Sequence, residues 1–292
     1  MVCNLCPRRC GALRDETHGG GFCRMPALPV CARAALHLWE EPCISGKTGA
    51  GTVFFSGCAL GCVFCQNRSI SRENFGKVMR PDELYELFQR LAGQGASCIE
   101  LVTPTQFTHV LARVLERPVP GGLPVVWNSG GYERAGVLRA LEGKVDVYLP
   151  DLKYVTPSVA ERYSGAADYP EAAKAAILEM VRQRGPARLE GGLLKSGVLI
   201  RHLILPGQVK EAKRVMDWVG DTFPAGTVLF SLMAQYTPVG ELDGFPELQR
   251  PLRPSELWAA KAYMENLGLA GYVQELESCG EGFIPAFDLT GV

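Results

Sequence analysis

The stretch GTVFFSGCALGCVFC at residues 51–65 decides the expected fold of this chain. Its first half is a short run of apolar, β-branched and aromatic residues, which predicts a strand over 52–56. Its second half places Cys58, Cys62 and Cys65 in a C-x3-C-x2-C spacing directly after that strand. Three cysteines on one tight loop can hold three irons of a 4Fe–4S cluster and leave the fourth iron open. The stretch therefore predicts a strand that ends in an open metal site.

A zinc loop and three unrelated cysteines are the alternatives for this loop. Structural zinc sites usually take four protein ligands, often in paired C-x2-C spacings. Gly57 and Gly61, in contrast, let the backbone approach closely around an inorganic core. The spacing therefore favours an iron–sulfur cluster with one open iron.

Downstream of this loop, short apolar runs alternate with amphipathic stretches of ten or more residues. Parallel strands joined by right-handed helical crossovers produce this alternation. Six such units predict an α/β fold, a partial (β/α)6 TIM-like barrel, with a full barrel and a doubly wound open sheet as the competing arrangements. The predicted strands are 52–56, 98–103, 124–128, 145–149, 198–205 and 228–233, and the predicted helices are 81–91, 108–116, 133–141, 170–184, 209–219 and 255–267.

The composition excludes several classes of protein. The chain has 292 residues, 47% of them apolar, which is enough for a sizeable core and argues against a disordered or fibrous protein. Lys and Arg (30) balance Asp and Glu (31), so we expect no nucleic-acid partner. There is no run of about 18 apolar residues to cross a membrane and no apolar core of a secretory signal at the N-terminus. We therefore expect a cytoplasmic protein with no membrane partner.

Cysteines are concentrated near the N-terminus. The chain has 11 cysteines, an odd number that argues against complete pairing into disulfides. Residues 1–50 are also rich in glycine and proline and show little periodicity. We therefore predict a Cys-rich, mostly irregular metal-binding extension over 1–50, followed by a barrel with a C-terminal extension over 51–292. The extension has few apolar residues to bury, so it needs a metal to hold its shape.

Four of these cysteines have a C-x2-C-x3-C-x12-C spacing and offer a complete ligand set. A second 4Fe–4S cluster and a tetrahedral zinc both suit four cysteines. The C-x2-C-x3-C run is more typical of cluster loops than of zinc fingers and favours iron, with zinc and structural cysteines without metal left open. Cys31 and Cys43 are alternative ligands. The four cysteines are Cys3, Cys6, Cys10 and Cys23.

The loop from Cys58 to Cys65 resembles the signature of the radical S-adenosylmethionine (SAM) superfamily. Further segments resemble an uncharacterised branch of it that is related to pyruvate formate-lyase activating enzymes, and the resemblance covers nearly the whole chain. These segments are CNLCPRRCG at 3–11, EEPCISG at 40–46, GTVFFSG at 51–57, CQN at 65–67, LVTPT at 101–105, YLPDLKY at 148–154, RHLILPG at 201–207 and MAQY at 233–236.

The resemblance implies a radical SAM oxidoreductase, similar to the activating enzymes. A 4Fe–4S cluster on Cys58, Cys62 and Cys65 would bind SAM through its open iron, cleave it reductively and yield a 5′-deoxyadenosyl radical that abstracts a hydrogen atom. An electron donor such as flavodoxin or ferredoxin would reduce the cluster. The protein's part in such chemistry is to position the cofactor and exclude water.

Polar residues cluster at the predicted C-terminal strand ends, where (β/α) barrels collect their active sites. Lys153 and Arg201 are candidates for the SAM carboxylate, since a carboxylate removed from water needs a cationic partner. In the activating enzymes the lysine of the matching D-x-K motif contacts SAM and its aspartate can belong to a cation site; a surface ion pair is the alternative here. By the resemblance, Phe64 lies near the adenine. The cofactor-binding candidates are Phe64, Thr103, Thr105, Asn128, Asp151, Lys153 and Arg201.

The chain departs from the superfamily pattern in one place. A Gly-Gly-Glu-like segment usually follows the second strand and binds the SAM amino group, whereas this chain has residues 103–105, TPT, there. A similar segment, GGYE at 130–133, comes one strand later. Carbonyls or hydroxyls of 103–105 are the expected replacement, with Pro104 as a plain strand terminator the alternative.

Three functions are compatible with these features. The first is an activator that abstracts a hydrogen atom from a glycine of a partner glycyl-radical enzyme. The second is direct modification of a small molecule or peptide with an auxiliary N-terminal cluster, and the third is a non-catalytic Fe–S or zinc protein. Outside the two cysteine sets, Cys98 is expected in the core, Cys279 as a plain thiol or a radical relay, and His202 as either a structural or a site histidine.

Overall fold

The structure is a computed structural model that describes residues 1–274, 276 and 285–292. Its strands are β1 (Val2–Cys3), β2 (Ala12–Leu13), β3 (Val30–His37), β4 (Ala50–Phe55), β5 (Lys77–Val78), β6 (Ile99–Val102), β7 (Val125–Ser129), β8 (Val147–Pro150), β9 (Arg188–Glu190), β10 (Leu193–Leu203), β11 (Leu229–Met233) and β12 (Gly271–Val273). Its α-helices are α1 (Pro42–Ser45), α2 (Arg68–Ser71), α3 (Pro81–Gly93), α4 (Thr108–Val114), α5 (Ala135–Leu138), α6 (Pro157–Ser164), α7 (Tyr169–Arg184), α8 (Val209–Thr222) and α9 (Pro254–Asn266).

One large, mostly parallel sheet organises the chain. Its strands lie in the order β12-β11-β10-β8-β7-β6-β4-β3-β5, and β9 pairs with β10. From β4 to β12 the neighbours on this path are parallel, and their order follows the chain without reversal. A doubly wound sheet would reverse its order at a switch point, so this competitor is excluded. In the described residues β5 and β12 end the sheet and do not pair, which confirms a partial rather than a full barrel.

The sequence prediction missed six of the twelve strands in the described residues, namely β1, β2, β3, β5, β9 and β12. The strand β3 lies within the segment expected to be mostly irregular, and it pairs antiparallel with β4 from Cys31 opposite Phe55 to His37 opposite Ala50. Its sequence, VCARAALH, contains only one β-branched residue, so propensity gave little signal. The three-residue β12 adds a further parallel strand to the six predicted ones. The part of the extension that precedes β3, residues 1–29, contains only the short antiparallel pair β1–β2 as regular structure and is called here the N-terminal segment.

The parallel strands are buried on both faces. On the helix side, Phe55, Leu101 and Trp127 are fully buried in the main apolar cluster. On the inner side, Cys98 packs with Val126, Val147 and Leu199, together with residues of α1. The short helix α1 thus covers the end of the barrel where the strands begin, and Cys98 lies in the core as expected.

Helix signals explain the outer layer. Pro81 is at the start of α3, and Leu84, Leu87, Phe88 and Leu91 are its buried face, at helical spacing. Helices in the described part of the chain are all too short or too polar to cross a bilayer.

Candidate active site

The three-cysteine loop lies at the C-terminal end of β4, where the barrel opens. Gly57 has a φ of 78°, and a Cβ there would lie 2.2 Å from Met25 Cγ, so only glycine allows this close approach of the N-terminal segment. Burial raises the pKa of the Cys58 thiol to about 12, with further increases from Cys62 and Cys65. The three thiols therefore lie in one electrostatic environment, as a shared cluster requires.

Hydroxyl groups contact two of the three sulfurs. The Cys62 Sγ lies 3.0 Å from Ser164 Oγ, and the Cys65 Sγ lies 3.3 Å from Ser71 Oγ. Such outer hydrogen bonds orient thiolate ligands and tune a bound metal. Three soft sulfur donors on one loop fit an iron–sulfur cluster, although no three His, Cys, Asp or Glu side chains in the described residues already have metal-site geometry.

Contacts to the far side of the barrel fix the last part of the loop. The Phe64 and Tyr236 rings meet edge to face with centroids 6.4 Å apart. Gln66 Nε2 donates to the carbonyl oxygen of Gln235 at 3.1 Å. Phe64, the residue expected near adenine, is therefore held between the cysteine loop and the segment that follows β11.

A charged layer crosses the inside of the barrel near the cysteine loop. Lys153 Nζ donates to Asp151 Oδ2 at 2.6 Å, and Arg201 Nε donates to Asp151 Oδ1 at 3.1 Å. Burial would raise the pKa of Asp151, but Lys153 and Arg201 outweigh it and hold that pKa below its usual value. The charges of Asp151 and Cys62 likewise outweigh burial and raise the pKa of Lys153. Lys153 is thus a protonated side chain close to the cysteine loop.

Arg201 and Asn128 are engaged by the chain itself. Arg201 donates to Glu40 Oε1 at 3.1 Å and to Asn128 Oδ1 at 2.6 Å, besides its bonds to Asp151. Asn128 Nδ2 donates to Glu40 Oε2 at 3.2 Å and to Glu100 Oε1 at 2.7 Å. Together these bonds connect β6, β7, β8 and β10 to the segment that precedes α1.

Glu40, Glu41 and Glu100 are site residues that the sequence reasoning missed. Burial, followed by the charge of Glu40, raises the pKa of Glu100 well above its usual value. Glu41 is 1% exposed and accepts from Ser231 Oγ at 2.6 Å, while its other oxygen has no hydrogen-bond partner among the residues that the structure describes. For Glu40 and Glu41 the only sequence signal was the resemblance of EEPCISG at 40–46 to the family, and this resemblance implied no role for either acid.

The TPT segment takes an unusual conformation. Thr103 has a φ of 56°, a left-handed value that a β-branched residue rarely adopts. Thr105 is buried and donates to Glu133 Oε1 at 3.0 Å, and Trp127 and Ser129 also donate to that carboxylate. Glu133, the acid of the displaced GGYE segment, is thus enclosed by hydrogen bonds, and burial raises its pKa.

The N-terminal cysteines approach one another in the structure. Cys3 and Cys23 are buried, Cys6 is half-buried and Cys10 is exposed. Burial is the main cause that raises the pKa of Cys6 to about 11, and the charges of Cys23, Cys3 and Cys10 each add to it. The four thiols expected to form a second site therefore share one environment.

The remaining predicted residues lie elsewhere. Cys31 is buried in β3, and Cys43 is buried in α1 among the inner apolar residues. His202 is buried, with Nδ1 2.8 Å from the Leu152 carbonyl oxygen. Cys279 lies outside the described residues.

An open pocket of about 430 Å³ lies beside the cysteine loop. Arg24, Arg68 and Arg72 line it together with Cys62. Arg68 is 57% exposed and its nearest acid, Glu73, is 3.9 Å away. Three guanidinium groups and one carboxylate, that of Glu241, line the pocket and leave this surface with a local positive charge in a chain of net charge −1.

A partial (β/α) barrel with a three-cysteine loop after its first parallel strand defines a class of protein that uses SAM and an iron–sulfur cluster. Residues 52–219 match the Radical SAM superfamily, and the chain belongs to that superfamily. Membership implies a 4Fe–4S cluster and SAM as cofactors, electrons from flavodoxin-like or ferredoxin-like donors, and radical redox chemistry.

Individual relatives are more distant. Uncharacterized protein MJ0674 of Methanocaldococcus jannaschii is 27% identical over 276 residues, which cover 91% of this chain and 75% of that protein. The structure of Streptococcus suis SuiB bound to precursor peptide SuiA has a TM-score of 0.52 and 10% identity over 75% of this chain and 47% of SuiB. The structure of SuiB bound to S-adenosylmethionine has a TM-score of 0.51 and 11% identity, and the match covers 75% of this chain and 45% of SuiB. The chain spans less than half of SuiB, and this likeness concerns the fold.

Proposed function

We propose that this protein reductively cleaves SAM at a 4Fe–4S cluster held by Cys58, Cys62 and Cys65 and abstracts a hydrogen atom from a substrate. The observation that carries the proposal is the convergence of this loop with Lys153 and Asp151 at the C-terminal ends of parallel strands. When bound, the cluster supplies the one-electron reduction of SAM, and hence a carbon-centred radical. The chain's own residues bind SAM, orient it and exclude water.

Lys153 is the residue we assign to the SAM carboxylate. Among the described residues its ammonium group donates to Asp151 alone, which leaves N–H donors for a ligand. Arg201 instead directs all three of its nitrogens at protein acceptors. In this proposal Asp151 orients Lys153. Arg201, which also bonds to Asn128, positions that pair through its hydrogen bond to Asp151.

Phe64 and the TPT segment complete the proposed SAM site. The buried ring of Phe64 offers an apolar face to the adenine. Thr103 contributes backbone or hydroxyl groups to the SAM amino group, and its strained backbone is a feature often found at functional sites. The Thr105 hydroxyl is directed at Glu133, so Thr105 acts mainly by shaping this turn.

Activation of a glycyl-radical enzyme is the substrate reaction we propose first, and its hydrogen donor would be a glycine Cα of the partner. The D-x-K motif at Asp151 and Lys153 supports this similarity to the activating enzymes. Isolated partner polypeptide, this protein, SAM and a reductant are expected to give the doublet electron paramagnetic resonance signal of a glycyl radical. Absence of the doublet with every glycyl-radical protein of the host would contradict it.

Modification of a small molecule or peptide is the second candidate, favoured by the four N-terminal thiols. An auxiliary 4Fe–4S cluster or a zinc ion on Cys3, Cys6, Cys10 and Cys23 is part of this proposal. Gly21, with a φ of 80°, supports it, because a Cβ there would lie 2.6 Å from the Cys10 sulfur. Its backbone therefore lets Cys10 approach the stretch that carries Cys23. Deuterium transfer from a labelled metabolite or peptide into 5′-deoxyadenosine would identify the substrate.

The arginine-lined pocket is where we place the electron donor. An electron must reach the cluster from outside, and this pocket exposes the protein surface at Cys62. Flavodoxins and ferredoxins are acidic, and complementary charge speeds the encounter of such partners.

The decisive test is anaerobic reconstitution followed by SAM cleavage. Wild type is expected to produce 5′-deoxyadenosine and methionine on reduction, and Cys62→Ala is expected to lose this activity completely. Cys98→Ala is the matched control, since Cys98 is buried in the core away from the loop. Unchanged cleavage in Cys62→Ala, or none in wild type with a full cluster, would overturn the proposal and favour a non-catalytic metal protein.

A further inference from the structure

A buried arginine connects the N-terminal cysteines to the catalytic end of the barrel. Arg14 is 4% exposed, and its Nη2 lies 3.0 Å from the sulfur of Cys23. Its Nη1 donates to the carbonyl oxygen of Gln106 at 2.8 Å. The same side chain thus contacts both the four-cysteine group and the turn that follows β6.

The charge of Arg14 lacks a carboxylate partner. Within residues 1–274, 276 and 285–292, no Asp or Glu lies within salt-bridge distance of its guanidinium group, and its Nε has no hydrogen-bond acceptor. A buried cation is costly unless an opposite charge compensates it. Arginine stays protonated in proteins, so Arg14 has no route to neutrality by losing its proton. The compensating charge must come from another group in contact with it.

Metal-bound thiolates would supply that charge. Neutral thiols carry none, whereas four thiolates on a divalent ion or on a 4Fe–4S core leave the whole site negative. The contact between Arg14 and Cys23 is the only direct one that the structure gives between this guanidinium and the cysteine group in the described residues. Arg14 is therefore placed where a negatively charged metal site would offset its burial.

Gln106 extends the contact to the cysteine loop. Its Nε2 lies 2.9 Å from the carbonyl oxygens of Ser56 and Gly57, the two residues before Cys58, and 2.7 Å from that of Thr103. Arg8, between Cys6 and Cys10, makes a second connection by donating to the carbonyl oxygen of Ala59 at 3.0 Å. Arg8 directly, and Arg14 through Gln106, thus hold backbone that carries the catalytic cysteines.

We propose that Arg14 is a positioning residue that balances the charge of metal-bound N-terminal thiolates and, through Gln106, holds the strand end from which the catalytic loop starts. This inference rests on the second metal site of the proposed function and deepens it. In this inference the N-terminal metal site stabilises the position of the catalytic loop and is not structurally independent of it.

The first experiment measures metal binding without the catalytic loop. In the full-length Cys58→Ala/Cys62→Ala/Cys65→Ala protein, remaining metal belongs to the N-terminal site. We expect Co²⁺ to bind with the thiolate charge-transfer and intense d–d bands of a four-thiolate site, and to be lost in Cys10→Ser, whose exposed thiol is replaced at little packing cost. Reconstitution with iron and sulfide, or with zinc, then distinguishes an iron–sulfur cluster from a zinc site. Binding of either metal supports the site, whereas a protein that binds neither metal would overturn it.

The second experiment tests the charge of Arg14. Arg14→Met is expected to weaken Co²⁺ binding by about 10–100-fold, the usual loss when a residue around the ligands is removed. Arg14→Lys keeps the charge and is expected to rescue most of this affinity. Arg9→Met removes an exposed arginine of the same segment and is the matched control. Equal affinities in all three variants would overturn the role of Arg14.

The third measurement separates positioning from plain folding. Hydrogen exchange in peptides covering residues 56–66 is expected to speed up in Cys10→Ser and in Arg14→Met, but not in Arg9→Met. If Arg14→Met fails to fold, wild type with and without N-terminal metal gives the same comparison. Unchanged exchange would overturn the connection to the loop. Loss of SAM cleavage with N-terminal metal binding intact would contradict the proposed activity and leave this inference standing.

Discussion

The barrel and the N-terminal segment are stabilised in different ways. In the barrel, side chains as large as Trp127 and Tyr148 are fully buried between the sheet and its helices. The N-terminal segment has two strands of two residues each, free thiols, and arginines that donate to carbonyl oxygens of the barrel. Hydrophobic burial therefore accounts for the first region, whereas the second is held largely by polar contacts and, in our proposal, by a metal on its cysteines.

Metal removal is expected to have the largest effect, and to act on one region only. Structural zinc contributes about 10–16 kcal/mol in zinc-finger peptides, so residues 1–29 should lose their fold without metal. Trypsin with mass spectrometry should then cut first after Arg8, Arg9, Arg14 or Arg24, while the circular dichroism of the barrel persists. Cys10→Ser should imitate metal removal. Unfolding of the whole chain in one transition would show that the two regions are not separable.

Truncation of a large aromatic residue should distinguish the regions next. Trp127→Ala is expected to lower the free energy of unfolding by about 3–5 kcal/mol, because it opens a cavity and removes the Nε1 bond of 2.9 Å to Glu133. Phe22→Ala, in the N-terminal segment, should cost only about 1 kcal/mol, because Phe22 is 37% exposed and stacks mainly on Arg8 and Arg72. Urea unfolding measures both.

A volume-conserving variant makes this test specific. Trp127→Phe keeps most of the ring and should recover much of the loss seen in Trp127→Ala. Similar losses in the free energy of unfolding for Trp127→Ala and Phe22→Ala would mean that the N-terminal segment is packed as tightly as the barrel. The two regions would then not be stabilised in different ways.

The barrel could be predicted because its signals are local. Each of the six predicted parallel strands is a short β-branched or aromatic run, and alternation with helices is enough to imply parallel pairing. By contrast, β3 is rich in alanine, and it is a strand because β4 offers it a partner in the folded protein. The three residues of β12 carry too little sequence to give a periodic signal.

The candidate site was only half predictable for a related reason. The loop cysteines have a fixed spacing that reflects the shape of a cluster, and the D-x-K motif lies at a predicted strand end. Glu40, Glu41 and Arg14 come from irregular segments whose path is set by tertiary contacts. Their roles depend on which distant side chain each one meets, Arg201, Ser231 and Cys23 respectively, and no local pattern encodes such pairs.

A pH test examines where the extension enters the barrel. Burial, and then the charge of Glu40, raises the pKa of Glu41 from 4.5 to about 7, with Ser231 and Arg201 opposing. A carboxyl group whose folded pKa is raised binds a proton more tightly when folded, so its contribution is full at low pH and is lost as pH rises through about 7. The contribution of Glu41 to the free energy of unfolding that is lost in this way is at most about 3 kcal/mol.

Glu41→Gln isolates this contribution. The variant should lose less stability than wild type between about pH 4.5 and pH 7, because the buried amide never has to lose a proton. Glu100, which also has a raised pKa, is present in both proteins, so the difference between their profiles belongs to Glu41. Urea unfolding across this range measures it. Parallel profiles would mean that Glu41 is solvated in the folded protein.

The smallest expected effect concerns the surface between the two regions. Arg68→Glu reverses one charge of the arginine-lined pocket, and we expect reduction of the reconstituted cluster by flavodoxin to slow by about 10-fold at low salt. Arg68→Gln should give an intermediate rate. Since charges at an exposed surface are screened beyond about 10 Å at 0.1 M salt, the difference should shrink as salt is added. Stopped-flow absorbance of the cluster follows the reaction.

Two controls decide whether this surface is the docking site. Reduction by a small chemical reductant should be much less affected in Arg68→Glu, because it needs no extended protein contact. Lys210→Glu changes the charge of the chain equally, but at an exposed residue of α8 that does not line the pocket, and should leave the flavodoxin rate near that of wild type. Equal slowing in Lys210→Glu would mean that net charge alone steers the donor. A slower reduction in the Arg68 variants alone would instead mean that the N-terminal segment also takes part in docking of the electron donor, since Arg24 and Phe22 line the same pocket.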